Sequence, residues 1–300
     1  MKIISLDTVP ESYRQFIKYE GQDIKDMESV EVLLAWPWQI NSTLLKNMPQ
    51  LKGIQTFSAG VDDIDFSSIP DKVRVFSNAG AFSLPVAEQA WGLAIALAKG
   101  INTRKKMETY QITGRKVLIL GAGGIGSEIA RIARLGFNSY VTGLSRSFKY
   151  QKNFDLTFPL SYLDKEIGLS DFIFDTLPLN RQTEGILNYN ILMHLKEKAV
   201  LVNVGRGETI VEDDIYRILV ERHDVRFGTD VFWRKNGVEI FETKLWELDN
   251  FIGTLHTGGA YGNKYALDRA KEIACNNAIR FAEELHADNE VKKEDYLAQL

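Results

Sequence analysis

The chain has 300 residues, of which 45% are hydrophobic and 25% are charged, and its formal net charge is −4. This composition is typical of a globular protein large enough for two domains. The acidic balance argues against a nucleic-acid-binding surface, and a single cysteine excludes an intramolecular disulfide framework. The N-terminal apolar run is too short for a signal peptide, and residues 84–98 are too few to span a bilayer. We expect a cytoplasmic protein without nucleic-acid, membrane or metal partners.

The N-terminal part of the chain alternates apolar strands with helical stretches, which indicates a small parallel-sheet domain. The predicted strands are residues 2–6, 32–35, 53–57 and 73–76, with a helix starting near Ser42. After the third strand comes a loop of small residues, Ala59, Gly60 and Val61, at an edge where open α/β sheets bind ligands. A helix from Ser83 is apolar on nearly every side, so we expect it to be buried and to join two domains.

Residues 114–147 carry the strongest motif of the chain. The apolar run 117–120 predicts a strand buried on both faces, 127–135 a helix and 139–144 a second strand. The first strand leads directly into a G-x-G-x-x-G sequence, whose glycines permit a tight turn and close approach of a pyrophosphate to the helix N-terminus. The predicted dinucleotide-binding residues of this loop are Gly121, Gly123, Gly124, Ile125 and Gly126. The alternative is a glycine-rich turn that binds nothing.

The end of the second strand bears on the choice of cofactor. NAD sites place an acidic residue there for the ribose 2′-hydroxyl, whereas this chain has Ser145, Arg146 and Ser147, then Lys149, and no acid before Asp155. Hydroxyl and guanidinium groups can bind a 2′-phosphate, which a carboxylate would repel. The sequence therefore predicts that NADP(H) is preferred, with NAD(H) possible. The alternative is an ordinary solvated basic turn.

The second half of the chain continues the α/β rhythm. Further strands are predicted at 171–177, 199–202, 226–229 and 251–254, and helices at 190–197, from Glu212, and at 263–285. Arg206, Asp230 and His256 each follow a strand, so a parallel sheet would bring them to one edge, facing the glycine-rich loop. Arg206 can bind a carboxylate and His256 can donate a proton, which suits hydride transfer to a 2-oxo acid. Against this, a strand-end arginine is usually a surface residue, and His256 is one of four histidines.

Seven blocks in order resemble the D-isomer-specific 2-hydroxyacid dehydrogenase family. They are residues 51–65, 78–92, 121–126, 176–183, 203–207, 230–232 and 255–259. The resemblance implies an α/β fold of two Rossmann-like doubly wound domains. A split substrate domain, 1–95 plus 265–300, would surround a central dinucleotide-binding domain, 96–264.

The resemblance also implies roles for residues. Arg206 would bind substrate, His256 would be the acid/base, and Ala59, Gly60 and Val61 would form the substrate-carboxylate loop. The implied cofactor-binding residues outside the glycine-rich loop are Leu177, Pro178, Thr183, Val204, Gly205 and Asp230. A small 2-oxo acid such as glyoxylate or hydroxypyruvate and a homodimer are implied too, although the connector 101–114 lacks the family's Gly-x-Trp segment, so the dimer arm would be trimmed.

One departure concerns the glutamate that supports the histidine in this family, because its place holds Lys235. A carboxylate there would stabilise the imidazolium, whereas an ammonium would destabilise it. Three explanations stay open: Glu239 or Glu242 substitutes for it, Lys235 points to solvent while the reaction runs slowly, or the protein is inactive. The last corresponds to an alternative function, a nucleotide-sensing protein resembling the family's corepressor branch.

Overall fold

The structure is a computed structural model that describes residues 1–19, 26–148, 150–259 and 261–296. Its strands are β1 (Ile3–Ser5), β2 (Ile17–Tyr19), β3 (Val32–Ala35), β4 (Gly53–Thr56), β5 (Arg74–Phe76), β6 (Lys116–Leu120), β7 (Tyr140–Leu144), β8 (Leu156–Phe158), β9 (Phe172–Asp175), β10 (Val200–Asn203), β11 (Arg226–Thr229), β12 (Arg234–Lys235), β13 (Val238–Glu239) and β14 (Phe251–Gly253). Its α-helices are α1 (Ser42–Lys46), α2 (Ser83–Lys99), α3 (Gly124–Phe137), α4 (Leu163–Ile167), α5 (Tyr189–Leu192), α6 (Glu212–Glu221) and α7 (Lys264–Ala282).

The chain folds into two compact units. One consists of the chain before Ser83 together with the chain from Gly262 onward, and the other is Ser83–Tyr261. The predicted boundaries, 95/96 and 264/265, therefore differ from those of the structure. The larger difference concerns α2, which we assigned mostly to the first domain. It belongs to the second unit because it packs along α3, β10 and β11.

The first unit is a five-stranded parallel sheet in the order β2-β1-β3-β4-β5. This order, 2-1-3-4-5, is one of the two common doubly wound topologies. Neighbouring residues of each strand enter opposite cores: Ile4 and Leu33 belong to one core, while Ile3 and Val32 belong to the other, which α7 covers. Both faces of the sheet are therefore buried, as all-parallel sheets require.

The second unit is a seven-stranded parallel sheet in the order β14-β11-β10-β9-β6-β7-β8. Numbered within the unit and without the β12–β13 hairpin, this is 3-2-1-4-5-6-7, the Rossmann order with one added strand. The order reverses between β6 and β9, where Leu120 pairs with Asp175. Dinucleotides bind at such a switch point, beyond the carboxyl ends of the strands. The two parallel sheets confirm the predicted α/β fold class.

Several elements differ from the prediction. The helix expected at 190–197 is only α5, because the chain then reverses into β10, and Lys198 adopts a φ of +63° in that turn. The final helix ends at Ala282 instead of 285. Strands β2 and β8 and the β12–β13 hairpin were not predicted; each has only two or three residues, too few to show a period.

In the part of the chain that the structure describes, no helix combines the length and the apolar character needed to cross a bilayer.

Candidate active site

The predicted site residues of the second unit lie at the carboxyl edge of its sheet. The glycine-rich loop follows β6, Arg206 lies in the loop after β10, Asp230 follows β11, and His256 lies shortly beyond β14. Since all seven strands are parallel, these loops share one edge, as predicted.

His256 is paired with a carboxylate. Its Nδ1 lies 2.7 Å from Oε2 of Glu239, whose Oε1 accepts a hydrogen bond of 2.6 Å from the backbone N–H of Phe232. The imidazole is 48% exposed and the carboxylate 19% exposed, so the pair has a sheltered acid and an accessible base. With Nδ1 bonded to Glu239, Nε2 is the nitrogen that can exchange a proton with a substrate.

A tight hairpin carries Glu239 to this position. Residues Asn236 and Gly237 connect β12 to β13 with φ values of +54° and +78°, as a type I′ turn requires. Across the hairpin Lys235 pairs with Val238 and is exposed, while Arg234 pairs with Glu239. The structure thus places Glu239, and not Glu242, beside the histidine, and it turns Lys235 outward. The Asn-Gly dipeptide was the sequence signal that could have predicted this hairpin.

The backbone of His256 is held in an uncommon conformation. Its φ is +52°, which lies in the left-handed region. For a residue other than glycine this conformation costs about 1 kcal/mol or more. Asp230 supports it: its backbone carbonyl accepts the His256 N–H at 2.8 Å, and its carboxylate accepts the N–H groups of Thr257 and Gly258 at 3.0 and 2.9 Å. The Thr254 hydroxyl donates to the same carboxylate at 2.6 Å. Asp230, which we predicted to bind cofactor, is 2% exposed and organises the histidine loop.

The electrostatics of the pair favour an ionised glutamate and a protonated histidine. The hydrogen bond with Glu239 raises the pKa of His256 above its ordinary value of 6.5, against burial and the positive charge of Arg206, which lower it. Burial opposes ionisation of Glu239, but the bonds from His256 and Phe232 and the charge of Arg206 outweigh it and hold its pKa below the ordinary value. The imidazolium is therefore available near neutral pH.

Arg206 lies on the same edge, as the N-cap of a 3₁₀ turn, Gly207–Thr209. Its Nη1 donates to the carbonyl of Gly205 at 2.7 Å. Asn203 organises the loop, since its amide nitrogen donates to the Arg206 carbonyl at 2.8 Å and its amide oxygen accepts the Gly205 N–H at 2.9 Å. The positive charge of Arg206 acts on both partners of the His256–Glu239 pair and lowers the pKa of each.

The glycine-rich loop has the geometry of a phosphate site. Gly121 has a φ of +91°, and a Cβ on Gly126 would lie 2.0 Å from the Gly121 carbonyl oxygen, so both positions need glycine. A Cβ on Gly123 would meet nothing within 4 Å, which leaves open space where a ligand would sit. Helix α3 begins at Gly124 without a side-chain cap, so its first N–H groups and dipole suit a bound pyrophosphate.

The end of β7 contains no acidic residue among 145–148. Arg146 and Ser147 are exposed, and the Ser147 N–H lies 3.4 Å from the Ser145 hydroxyl. Asp155 is bonded to the N–H of Val141, at the opposite end of β7. Lys149, which we counted with this basic run, lies outside the described residues.

Two more loops of the predicted cofactor site lie close together. Gly205 permits this, because a Cβ there would lie 2.6 Å from the Leu177 carbonyl oxygen. Leu177 and Val204 are buried, whereas Pro178 is exposed. Thr183 closes its own loop, since its hydroxyl donates to the Pro178 carbonyl at 2.5 Å.

The predicted substrate loop, Ala59–Val61, belongs to the first unit. It follows β4 and is stiffened by the Ser58 hydroxyl, which donates to the Gly60 carbonyl at 2.7 Å. Val61 is 3% exposed and packs in the core of that unit, so this residue offers only its backbone to a ligand.

As for metals, the described part of the chain has no group of three His, Cys, Asp or Glu side chains arranged to hold an ion.

Comparison with known proteins identifies the family. A model of the D-isomer specific 2-hydroxyacid dehydrogenase NAD binding domain matches residues 82–258. The chain belongs to this family. It is therefore an oxidoreductase that transfers hydride between a nicotinamide cofactor and a 2-oxo or 2-hydroxy acid, and the reading as an inactive nucleotide sensor is not favoured.

Individual relatives are similar to this chain over most of its length. The glyoxylate reductase of Pyrococcus furiosus is 27% identical over 279 residues, 87% of this chain and 81% of the relative. The hydroxypyruvate reductase of Thermotoga maritima is 28% identical over 252 residues, 79% of this chain and 80% of the relative. A crystal structure of a candidate formate dehydrogenase from Pyrobaculum aerophilum is 31% identical, with a TM-score of 0.86 over 99% of this chain and 100% of that one.

The phosphate loop can be tested with two substitutions in one helix. Gly126→Ala forces a methyl group against the Gly121 carbonyl, so we expect the Kd for NADPH, read by fluorescence titration, to rise about tenfold or more. Gly136→Ala is the control, because its Cβ meets nothing within 4 Å, and we expect an unchanged Kd. Equal Kd values for the two variants would contradict the assignment of this loop.

The role of Glu239 can be tested by the pH profile of 2-oxo acid reduction. Reduction needs protonated His256, so kcat/KM should fall as pH rises through the raised pKa of this histidine. Glu239→Gln removes the main cause of that shift, so the fall should move to lower pH, with a loss of about 10- to 100-fold at pH 7.5. Glu242→Gln, in the same loop but exposed, is the matched control and should stay within about twofold. An unchanged profile in Glu239→Gln would rule out the substitute role.

Proposed function

We propose that the protein is an NADP(H)-preferring reductase of small 2-oxo acids of the glyoxylate and hydroxypyruvate type. The observation that carries the proposal is the His256–Glu239 pair, which lies on the same sheet edge as Arg206 and the glycine-rich loop. The substrate class is supported by relatives named glyoxylate reductase and hydroxypyruvate reductase.

In this proposal the residues divide the chemistry of one reduction. The reduced nicotinamide, when bound, supplies the hydride. Arg206 binds the substrate carboxylate and draws charge onto the ketone oxygen through its forked N–H donors. His256 donates the Nε2 proton to that oxygen as it becomes a hydroxyl, and Glu239 keeps Nδ1 protonated and stabilises the imidazolium before transfer. The reverse oxidation uses the same histidine as a base.

The pair also bears on formate oxidation, the activity named for the relative from Pyrobaculum aerophilum. Oxidation of formate to CO₂ transfers a hydride and leaves no oxygen to be protonated. A histidine with a raised pKa has no proton to move in that reaction, whereas a 2-oxo acid needs one. The site therefore favours 2-oxo acid reduction.

The remaining assignments complete the proposed site. We propose that Gly121, Gly123, Gly124, Ile125 and Gly126 bind the pyrophosphate, that Ser145, Arg146 and Ser147 bind the 2′-phosphate, and that Leu177, Pro178, Thr183, Val204, Gly205 and Asp230 line the cofactor site. Ala59, Gly60 and Val61 are proposed to bind substrate through backbone groups. The split substrate domain and the homodimer are proposals that rest on the family resemblance.

The activity itself is tested by NADPH oxidation with glyoxylate, hydroxypyruvate, pyruvate and phenylpyruvate. We expect saturable turnover, highest with the small substrates, and a loss of about 10²-fold or more in His256→Ala, because the proton donor is removed. His286→Ala is the matched control, since that histidine is 81% exposed and should be dispensable. Cofactor binding without any turnover would contradict the proposal.

Cofactor preference is tested by placing an acid at the end of β7. Ser145→Asp adds a carboxylate that can accept the ribose 2′-hydroxyl and repels a 2′-phosphate. We expect the ratio of kcat/KM for NADPH over NADH to fall by about 10- to 100-fold. Thr113→Asp adds the same charge at the other edge of the sheet and should leave the ratio unchanged. A wild-type ratio below one would overturn the preference for NADPH.

A further inference from the structure

Asp175 is a buried carboxyl group that the proposed reaction does not use. It is the last residue of β9, at the point where the sheet order reverses, and it is 0% exposed. Its Oδ1 accepts the Leu177 N–H at 3.0 Å, and its Oδ2 lies 2.6 Å from the Thr209 hydroxyl oxygen. Burying a carboxyl group is costly unless its oxygens are hydrogen-bonded, and both oxygens of Asp175 have such contacts.

The Thr209 hydroxyl lies between two acceptors but has only one hydrogen. Its Oγ1 is 2.6 Å from Asp175 Oδ2 and 2.7 Å from the carbonyl oxygen of Arg206. Both contacts can be hydrogen bonds at once only if Asp175 carries a proton and donates it to Oγ1, which frees the hydroxyl hydrogen for the carbonyl. If Asp175 is ionised, its carboxylate accepts the Thr209 hydroxyl hydrogen. Thr209 Oγ1 and the Arg206 carbonyl oxygen then face each other with lone pairs and no hydrogen between them.

The Arg206 carbonyl belongs to the loop that carries the proposed carboxylate-binding guanidinium. It also accepts the Asn203 amide at 2.8 Å and the Thr209 N–H at 3.3 Å, so the backbone at Arg206 is held from one side by β10 and from the other by the 3₁₀ turn. A change in the Thr209 contact alters one of these two supports directly next to the arginine.

We propose that Asp175 and Thr209 are positioning residues that set the backbone at Arg206, and that one proton on Asp175 controls how firmly they hold it. The inference rests on the proposed function, because it assigns Arg206 to the substrate carboxylate. Neither residue touches substrate; both act through the Arg206 carbonyl.

The residues around Asp175 allow its carboxyl group to titrate without coupling to another charged group. Burial is the main cause that raises its pKa, to about 6, against the hydrogen bonds from Thr209 and Leu177. Its register neighbours on β6 and β10 are Leu120 and Asn203, which are uncharged. The nearest charged residues along the turn bond elsewhere: Arg206 Nη1 to the Gly205 carbonyl and Glu208 to Arg234. The carboxyl group is therefore neutral below about pH 6 and ionised above it.

The experiment uses the full chain and substitutions at three positions of the second unit. Thr209→Val removes the hydroxyl but keeps the shape, and Asp175→Asn places a permanent N–H donor opposite Oγ1. The control is Thr142→Val, a buried threonine of β7 whose register partners are Leu118 and Leu156, far from the Arg206 loop in sequence and strand order. For each protein we would measure KM for glyoxylate, the Kd of the unreactive analogue oxamate with NADPH bound, and the Kd of NADPH, from pH 5 to pH 8.

In the wild-type protein KM and the oxamate Kd should rise as pH increases through about 6. The reason is that ionised Asp175 takes the Thr209 hydroxyl hydrogen, which then no longer bonds the Arg206 carbonyl. Asp175→Asn should hold the low-pH values up to pH 8. Thr209→Val should hold both constants near the wild-type high-pH values at every pH, about tenfold above the wild-type values at pH 5, and leave the NADPH Kd within about twofold. Thr209→Ser restores the hydroxyl and should restore the wild-type pattern, while Thr142→Val should follow the wild type.

Thermal unfolding supplies a readout that needs no activity. The pKa of Asp175 is higher in the folded chain than its ordinary 3.8, so the folded state binds the proton more tightly, and this contribution to stability is lost as pH rises. Asp175→Asn removes that loss. The Tm of the variant minus the Tm of the wild type should therefore be larger at pH 8 than at pH 4.5. Tm shifts with unchanged KM and oxamate Kd would overturn the inference and leave a purely structural role. A wild-type protein that neither reduces glyoxylate nor binds oxamate would instead refute the proposed function, and this inference with it.

Discussion

The buried carboxylate of Asp230 holds the part of the structure on which the site depends. It accepts one hydroxyl and two backbone N–H groups from the loop that carries His256, while the backbone carbonyl of the same residue binds the His256 N–H. These bonds offset the cost of a left-handed conformation at a residue with a bulky side chain. These bonds hold the loop in the conformation that places the imidazole at the sheet edge.

The His256–Glu239 pair shows how a side chain absent from one sequence position can be supplied from another. The position that would hold the supporting glutamate in this family holds Lys235, yet the Asn236–Gly237 turn reverses the chain so that Glu239 reaches the histidine. Arg234 anchors the same hairpin, because its Nε donates to Glu208 at 2.8 Å. The chemistry of the pair depends on distance and burial, so the carboxylate can come from either strand of the hairpin.

Two buried acids therefore act on the two neighbouring loops of the edge. Asp230 serves the loop of His256, and Asp175, through Thr209, contacts the loop of Arg206. Both carboxyl groups sit at strand ends of a sheet whose interior is apolar, where hydrogen bonds are strong and unpaired groups are costly. Polar groups in such places hold the loops in one arrangement.

The sequence by itself determined the fold class, the fingerprint loop and the strand ends that carry Arg206, Asp230 and His256, because apolar period and glycine spacing are local properties. It left open which glutamate supports the histidine, since a two-residue strand has no period and only the hairpin register separates Glu239 from Glu242. It also missed the role of Thr209 and the burial of Asp175, whose contacts join segments 34 residues apart. The start of α2 at Ser83 was predicted, but its assignment to the second unit was decided by packing against β10 and β11. Tertiary structure decides such questions because they depend on which side chains meet across the sheet edge.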